Sequence, residues 1–99
     1  MDTSVLEDLG LTPAEIKLYL TLLELGSSSA GKIIEKSHLQ NSVTHRALNS
    51  LIEKGLINFV LEGKRKIYQA TDPENFQQFI EEKKQRFQQL LLELKQRQS

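Results

Sequence analysis

The chain has 99 residues, 38% of them hydrophobic, with 13 basic and 13 acidic side chains and no cysteine. That length suits one domain with one modest core, and the lack of cysteine excludes disulfides, thiolate metal sites and thiol nucleophiles. Net charge is zero but unevenly spread: residues 1–31 hold five acids and one lysine, residues 32–66 seven Lys/Arg and three acids, and residues 67–99 five of each.

A basic middle third points to an anionic partner, the alternative being an ordinary solvated surface. The start, Met1-Asp2-Thr3-Ser4, has neither the basic nor the apolar region of a signal peptide. The longest apolar runs, such as Leu90-Leu91-Leu92, are far too short to cross a bilayer. A cytoplasmic protein with no membrane partner is expected.

Thr12-Pro13-Ala14-Glu15 has the form of a capping box with proline at the first helical position. The helix it opens should run to about Leu25 and stop at Gly26. Two apolar stripes on it, Ile16/Tyr19/Leu20/Leu23 and Leu18/Leu22/Leu25, predict burial on more than one side. Ser27-Ser28-Ser29 offers caps for a short second helix over about 29–37, with Ala30, Ile33 and Ile34 facing inward. His38-Leu39-Gln40 reads as a turn with Leu39 as its apolar plug. Asn41 or Ser42 should cap a third helix that ends at Lys54-Gly55. Val43, Ala47, Leu48, Leu51 and Ile52 share one of its faces, and Ser42, Arg46, Asn49 and Glu53 the opposite one.

Leu56 to Leu61 is rich in β-formers, Glu62-Gly63-Lys64-Arg65 turns, and Lys66 to Thr71 returns, which is a hairpin. Asp72-Pro73 then opens a last helix running to about Arg97, roughly 37 Å long at about 1.5 Å per residue. Phe76, Ile80, Lys83, Phe87, Leu90, Leu94 and Arg97 step along it by alternating fours and threes, a heptad seam. The seam can pair with a second chain, pack on its own domain, or do both in different halves.

The order helix, helix, turn, helix, hairpin is that of a winged helix-turn-helix. The expected fold class is therefore mainly α with a small β-hairpin, with residues 1–72 as a DNA-binding domain and 73–99 as a coiled-coil dimerisation helix. The third helix needs one apolar face for its seat and one open polar face for a major groove about 12 Å wide. Ser42, Thr44, His45, Arg46 and Asn49 are the candidate base readers, since arginine suits guanine and asparagine suits adenine. Lys64, Arg65 and Lys66 at the hairpin tip, with Lys32, Lys36 and Asn41, are the candidate phosphate contacts. Phe76, Ile80, Lys83, Phe87, Leu90 and Leu94 are the candidate dimer contacts. His38 and His45 lack neighbours at metal-ligand spacing, so neither a metal nor a cofactor is expected. No nucleophile, carboxylate pair or phosphate loop suggests catalysis, so the chain is not read as an enzyme.

Leu6 to Glu15, continuing through Leu18-Tyr19 and Leu22-Leu23-Glu24-Leu25-Gly26, resembles the opening of the TrmB-like transcriptional regulators. Leu51 to Ile57, the Tyr68 strand and Asp72-Pro73-Glu74 are similar as well, so the resemblance covers nearly the whole chain. It implies a dimeric transcriptional regulator. Ser42 to Leu48 looks more like a MarR recognition helix, so no target sequence carries over. Many TrmB-like proteins have a large C-terminal sugar-binding domain. This sequence ends at Ser99, so no small-molecule effector is expected from it. The leading expectation is a homodimer bound to a pseudo-palindromic double-stranded DNA site. The alternative is a winged-helix protein-interaction module inside a larger assembly, favoured by zero net charge.

Overall fold

The computed structural model describes residues 1–98, so Ser99, the last residue of the expected terminal segment, lies outside the described residues. The elements are α1 (Ser4–Asp8), α2 (Pro13–Leu25), β1 (Ser28–Ser29), α3 (Ala30–Ser37), α4 (Asn41–Glu53), β2 (Ile57–Glu62), β3 (Arg65–Ala70) and α5 (Asn75–Gln98). The mainly helical winged-helix order expected from sequence is present, with two additions. A one-turn helix, α1, precedes the capping box and presses the half-buried Leu6 and Leu9 onto the core. The two-residue β1 pairs antiparallel with β3, giving a three-stranded sheet in the order β1-β3-β2.

The capping box of α2 forms as its residues require. The Thr12 hydroxyl accepts from the Glu15 N–H at 3.1 Å, and the Glu15 carboxylate accepts from the Thr12 N–H at 3.2 Å. Gly26 ends the helix at φ 76°, a conformation open to glycine but awkward for residues with a Cβ. Ile16, Leu18, Tyr19 and Leu22 are buried as expected, whereas Leu23 and Leu25 stay exposed at 46% and 36%. The last turn of α2 outruns the elements that cover the rest of it.

Ile33 anchors α3 in the core, with Ala30 and Ile34 half-buried beside it. The turn into α4 passes through His38 in the left-handed region, φ 61°, the one non-glycine residue with positive φ among the described residues. Leu39 fills the space beneath this turn, half-buried against the core. The start of α4 differs from expectation. Gln40 is its N-cap, Asn41 is already helical, and no side chain caps it. The Gln40 carbonyl instead accepts from both the Thr44 N–H and the Thr44 hydroxyl, each at 2.9 Å.

The hairpin closes through a two-residue loop, with Glu62 paired directly to Arg65. Gly63 takes φ 63° while Lys64 does not share a positive φ, the pattern of a type II′ turn. The chain then turns into α5 through three successive i to i+3 bonds over Asp72–Gln77. The Asp72 carboxylate accepts from the Glu74 N–H at 2.9 Å. The α-helix proper therefore starts at Asn75, two residues beyond the expected proline start.

Leu18, Leu22, Ile33, Leu48, Leu51, Leu56 and Ile57 form the fully buried centre. Phe79 closes it from α5, and Phe76 stands edge-on to Tyr19 with ring centroids 5.3 Å apart. Beyond Phe79 no residue of α5 is buried, and the molecule measures 56 × 28 × 25 Å because this helix runs past the body.

Candidate nucleic-acid interface

The seat of α4 is apolar and tight. Leu48 and Leu51 are fully buried, Ala47 nearly so, and Val43 and Ile52 are half-buried at the margins. Ser42, His45, Arg46 and Asn49 are exposed on the opposite face, with Asn41 exposed at its start. At about 100° per residue these four side chains span little more than a quarter of the helix circumference. Thr44 does not belong with them. It is fully buried, and its hydroxyl is bound to the Gln40 carbonyl at 2.9 Å. The candidate base readers are thus Ser42, His45, Arg46 and Asn49, and Thr44 is a seat residue. Glu53 lies in the same exposed arc one turn beyond Asn49, so the part of the face suited to a polyanion ends with Asn49.

One buried carboxylate adds a polar tie between α2 and the end of α4. Glu15, 4% exposed, caps α2 through one oxygen and accepts through the other from the Ser50 hydroxyl at 3.1 Å and from the Lys54 ammonium. Lys54 also donates to Ser50 at 2.9 Å, which closes the network. Burial pushes the Glu15 carboxyl up. The bonds from Lys54, the Thr12 N–H and Ser50, with the charge of Lys54, outweigh it, and the carboxyl lies below the ordinary glutamate value. Sequence reading assigned Glu15 only its capping role. The pairing partners lie 35 and 39 residues away, beyond the reach of local pattern.

The hairpin is buried at its base and exposed toward its tip. Ile57 is 1% exposed, Phe59 37% and Leu61 64%. Lys64, Arg65 and Lys66 are all exposed, but they do not act as one cluster. Lys66 opposes Leu61 and places its ammonium 4.8 Å from the Phe59 ring centroid, on the face that leads to the core. Arg65 alternates to the other face, and Lys64 occupies the turn. The hairpin base is clamped by Thr71, whose hydroxyl donates to the Gly55 and Leu56 carbonyls, both at 2.9 Å. Lys32 and Lys36 are exposed one turn apart on α3 and line a shallow hollow with Leu25, Glu35 and His38.

The seam residues of the last helix divide. Phe76 is turned to its own core, and Lys83 is half-buried, its ammonium 5.0 Å from the Phe79 ring centroid and close to Gly10. Ile80, Phe87, Leu90 and Leu94 remain exposed at 43%, 53%, 47% and 46%. Among the described residues, no group of three His, Asp or Glu side chains is placed to hold a metal ion, and no helix is long and apolar enough to cross a membrane.

Residues 6–74 match the family described as sugar-specific transcriptional regulator TrmB. The chain is 36% identical over 69 residues to the HTH-type sugar sensing transcriptional regulator TrmBL1 of Pyrococcus furiosus, covering 70% of this chain and 20% of that protein. It is 37% identical over 78 residues to an uncharacterized protein of Methanocaldococcus jannaschii, covering 75% and 65% respectively. This chain therefore spans a fifth and about two-thirds of those two relatives' lengths. Among solved structures, TrmBL2, described as an archaeal chromatin protein with a novel mode of DNA binding, superposes with a TM-score of 0.77 at 24% identity, covering 87% of this chain and 34% of that one. The fold, the seated α4 and the matched 6–74 segment agree, and this winged-helix chain belongs to the TrmB family of transcriptional regulators, which are not enzymes.

Proposed function

We propose that the protein binds double-stranded DNA sequence-specifically as a homodimer and regulates transcription from a pseudo-palindromic site. The observation that carries this reading is the exposed polar face of α4, Ser42/His45/Arg46/Asn49, set on a fully buried apolar underside and followed in the chain by a basic hairpin. Arg46 and Asn49 read base edges in the major groove, with Ser42 and His45 assisting. Lys64 and Arg65 follow the phosphate backbone, together with Lys32, Lys36 and Asn41. Lys66 contributes from the side of the hairpin that it shares with Phe59. Residues 1–72 then form the reader, and the segment from 73 on carries the dimer contacts Ile80, Phe87, Leu90 and Leu94. Phe76 and Lys83 support it from within each protomer.

The test is selection of random duplex DNA by the purified protein at moderate salt, followed by sequencing of what is retained. Enrichment of an inverted repeat with half-sites about one helical turn apart supports the reading. Absence of enrichment by a stable dimer overturns it. A protein-interaction module is the second reading, favoured by the exposed Phe59, Val60 and Leu61 of the hairpin. Salt separates the two: phosphate contacts weaken steeply as salt rises, whereas an apolar interface does not.

A further inference from the structure

Leu61 stands almost at the tip of the hairpin, the most exposed apolar side chain of its two strands. We propose that Leu61 is an apolar wedge that enters the minor groove beside the half-site and unstacks a base step there, so that the softness of that step is part of what the protein recognises; this rests on the duplex-binding reading above.

Strand alternation puts Ile57, Phe59 and Leu61 on one face of the hairpin, with Ala70, Tyr68 and Lys66 directly across from them on β3. The body covers Ile57 and Tyr68, reaches Phe59 in part and leaves Leu61 bare. Val60 is exposed on the other face. Three consecutive exposed apolar residues therefore lie on β2, which is an edge of the sheet. Such an edge invites unwanted pairing and is ordinarily blunted with charge. A hairpin that only followed phosphates would need its cations and no Leu61.

The surroundings of Leu61 select the occupant. Lys66 stands across from it on the same face, Arg65 lies on the opposite face, and Lys64 occupies the turn, all exposed. Glu62, the one acid of the hairpin, opposes Arg65 on the face away from Leu61. The core of a protein–protein interface is depleted of charge, whereas a minor groove sets sugars and base edges between two rows of phosphates. An apolar side chain bracketed by cations is complementary to that arrangement. Leu61 stands about 7 Å beyond Phe59 at about 3.4 Å per residue, and a minor groove is about 7.5 Å deep. The Lys66 ammonium is drawn back along the hairpin to 4.8 Å from the Phe59 ring centroid, which leaves Leu61 foremost on that face. Wedges of this kind kink the duplex, and the unstacking they require is easiest at pyrimidine–purine steps.

Bending and groove chemistry test this. A short mixed-sequence duplex with a donor and an acceptor dye at its ends is titrated with wild type, Leu61→Ala and Leu61→Met at low salt, where phosphate contacts alone sustain a complex. Leu61 is exposed, so both variants should keep the wild-type unfolding curve by circular dichroism. Wild type should shorten the end-to-end distance, as a kink of about 20–90° requires. Leu61→Met should do the same, and Leu61→Ala should bind without the bend. The second probe is the same duplex made with inosine in place of guanine, which removes the amino group from the minor groove and leaves the major-groove edges as they were. Wild type should bind it roughly fivefold more tightly than the guanine duplex, and Leu61→Ala should bind the two alike. A wild-type complex that stays straight overturns the proposal. So does a Leu61→Ala protein that bends the duplex or keeps the inosine preference, and the exposed face then belongs to a protein partner. Wild type that binds neither these probes nor any duplex from random selection overturns the duplex-binding reading itself.

Discussion

Replacing Glu15 by alanine strips three partners at once: the Thr12 N–H, the Ser50 hydroxyl and the Lys54 ammonium. Removing one member of a deeply buried ion pair costs about 3–5 kcal/mol, chiefly because the other charge is left behind. Here the Lys54 side chain keeps 20% of its exposure while that of Glu15 keeps 6%, so solvent relieves part of the stranded charge. The pair then accounts for about 2 kcal/mol, and the lost capping bond adds about 0.5–1 kcal/mol. A total near 2–3 kcal/mol should lower Tm by about 10–20 °C for a domain of this size. Thermal and urea unfolding followed by circular dichroism would measure it, at fixed protein concentration so that any dimerisation does not shift the result. Glu15→Gln keeps one oxygen able to accept from the Thr12 N–H but loses the charge and turns the other acceptor into a donor facing Ser50 and Lys54, so it should fall between wild type and alanine.

The pH dependence checks the same network. The folded carboxyl titrates below its ordinary value of 4.5, because the bonds from Lys54, Thr12 and Ser50 outweigh the upward push of burial. Its stabilisation is therefore complete above that ordinary value and is lost as pH falls through the lower folded value. Glu15→Gln should flatten this acid limb. A loss below about 0.5 kcal/mol for Glu15→Ala, or an unchanged acid limb in Glu15→Gln, would refute the argument that this carboxylate ties α2 to the end of α4.

Other outcomes follow from the proposed interface. Arg46→Ala should weaken binding to the selected site by about 1–3 kcal/mol and relax the preference at one base pair, read by competition with single-base variants of the site. Arg65→Ala should weaken all duplexes alike and reduce the salt slope of binding by about one, read from titrations at several salt concentrations. Thr44→Val should leave base preference unchanged and lower stability by about 0.5–1.5 kcal/mol, since its hydroxyl is spent on the Gln40 carbonyl. A changed base preference in that variant would return Thr44 to the reading face. Gly63→Val should destabilise by at least about 1 kcal/mol, because a β-branched residue resists the positive φ of the hairpin turn; thermal unfolding checks this.

What was legible in the sequence was what neighbouring residues decide together. Thr12, Pro13 and Glu15 lie within four positions, and the cap they specify is formed. Gly26 and Gly63 mark turns because their φ values suit residues without a Cβ. What escaped was decided across the chain or by very few residues. α1 is too short to show a period, and β1 exists only because Ser28 and Ser29 find Tyr68 and Ile67 on β3. The cap of α4 was misplaced because Gln40 serves through its backbone carbonyl, which every residue type carries. Thr44 was misassigned because a polar side chain can satisfy itself one turn back and sink into a seat. The heptad of α5 was visible, but periodicity does not say what covers each position; Phe76 and Lys83 turned out to face home.

The acid at Glu53 sets how much a single reader can know. The usable face of α4 runs from Ser42 to Asn49, about 10 Å of helix at about 1.5 Å per residue. Laid against a strand that advances about 3.4 Å per base, that is about three base pairs. Three positions with four choices each recur by chance about once in 64 steps along a random duplex. Two such readers held at fixed spacing recur about once in 4,000. On the proposed reading, the spacing that a dimer imposes on its two readers is therefore part of the address: the word each protomer recognises is short, and the gap between the two words carries the rest of the meaning.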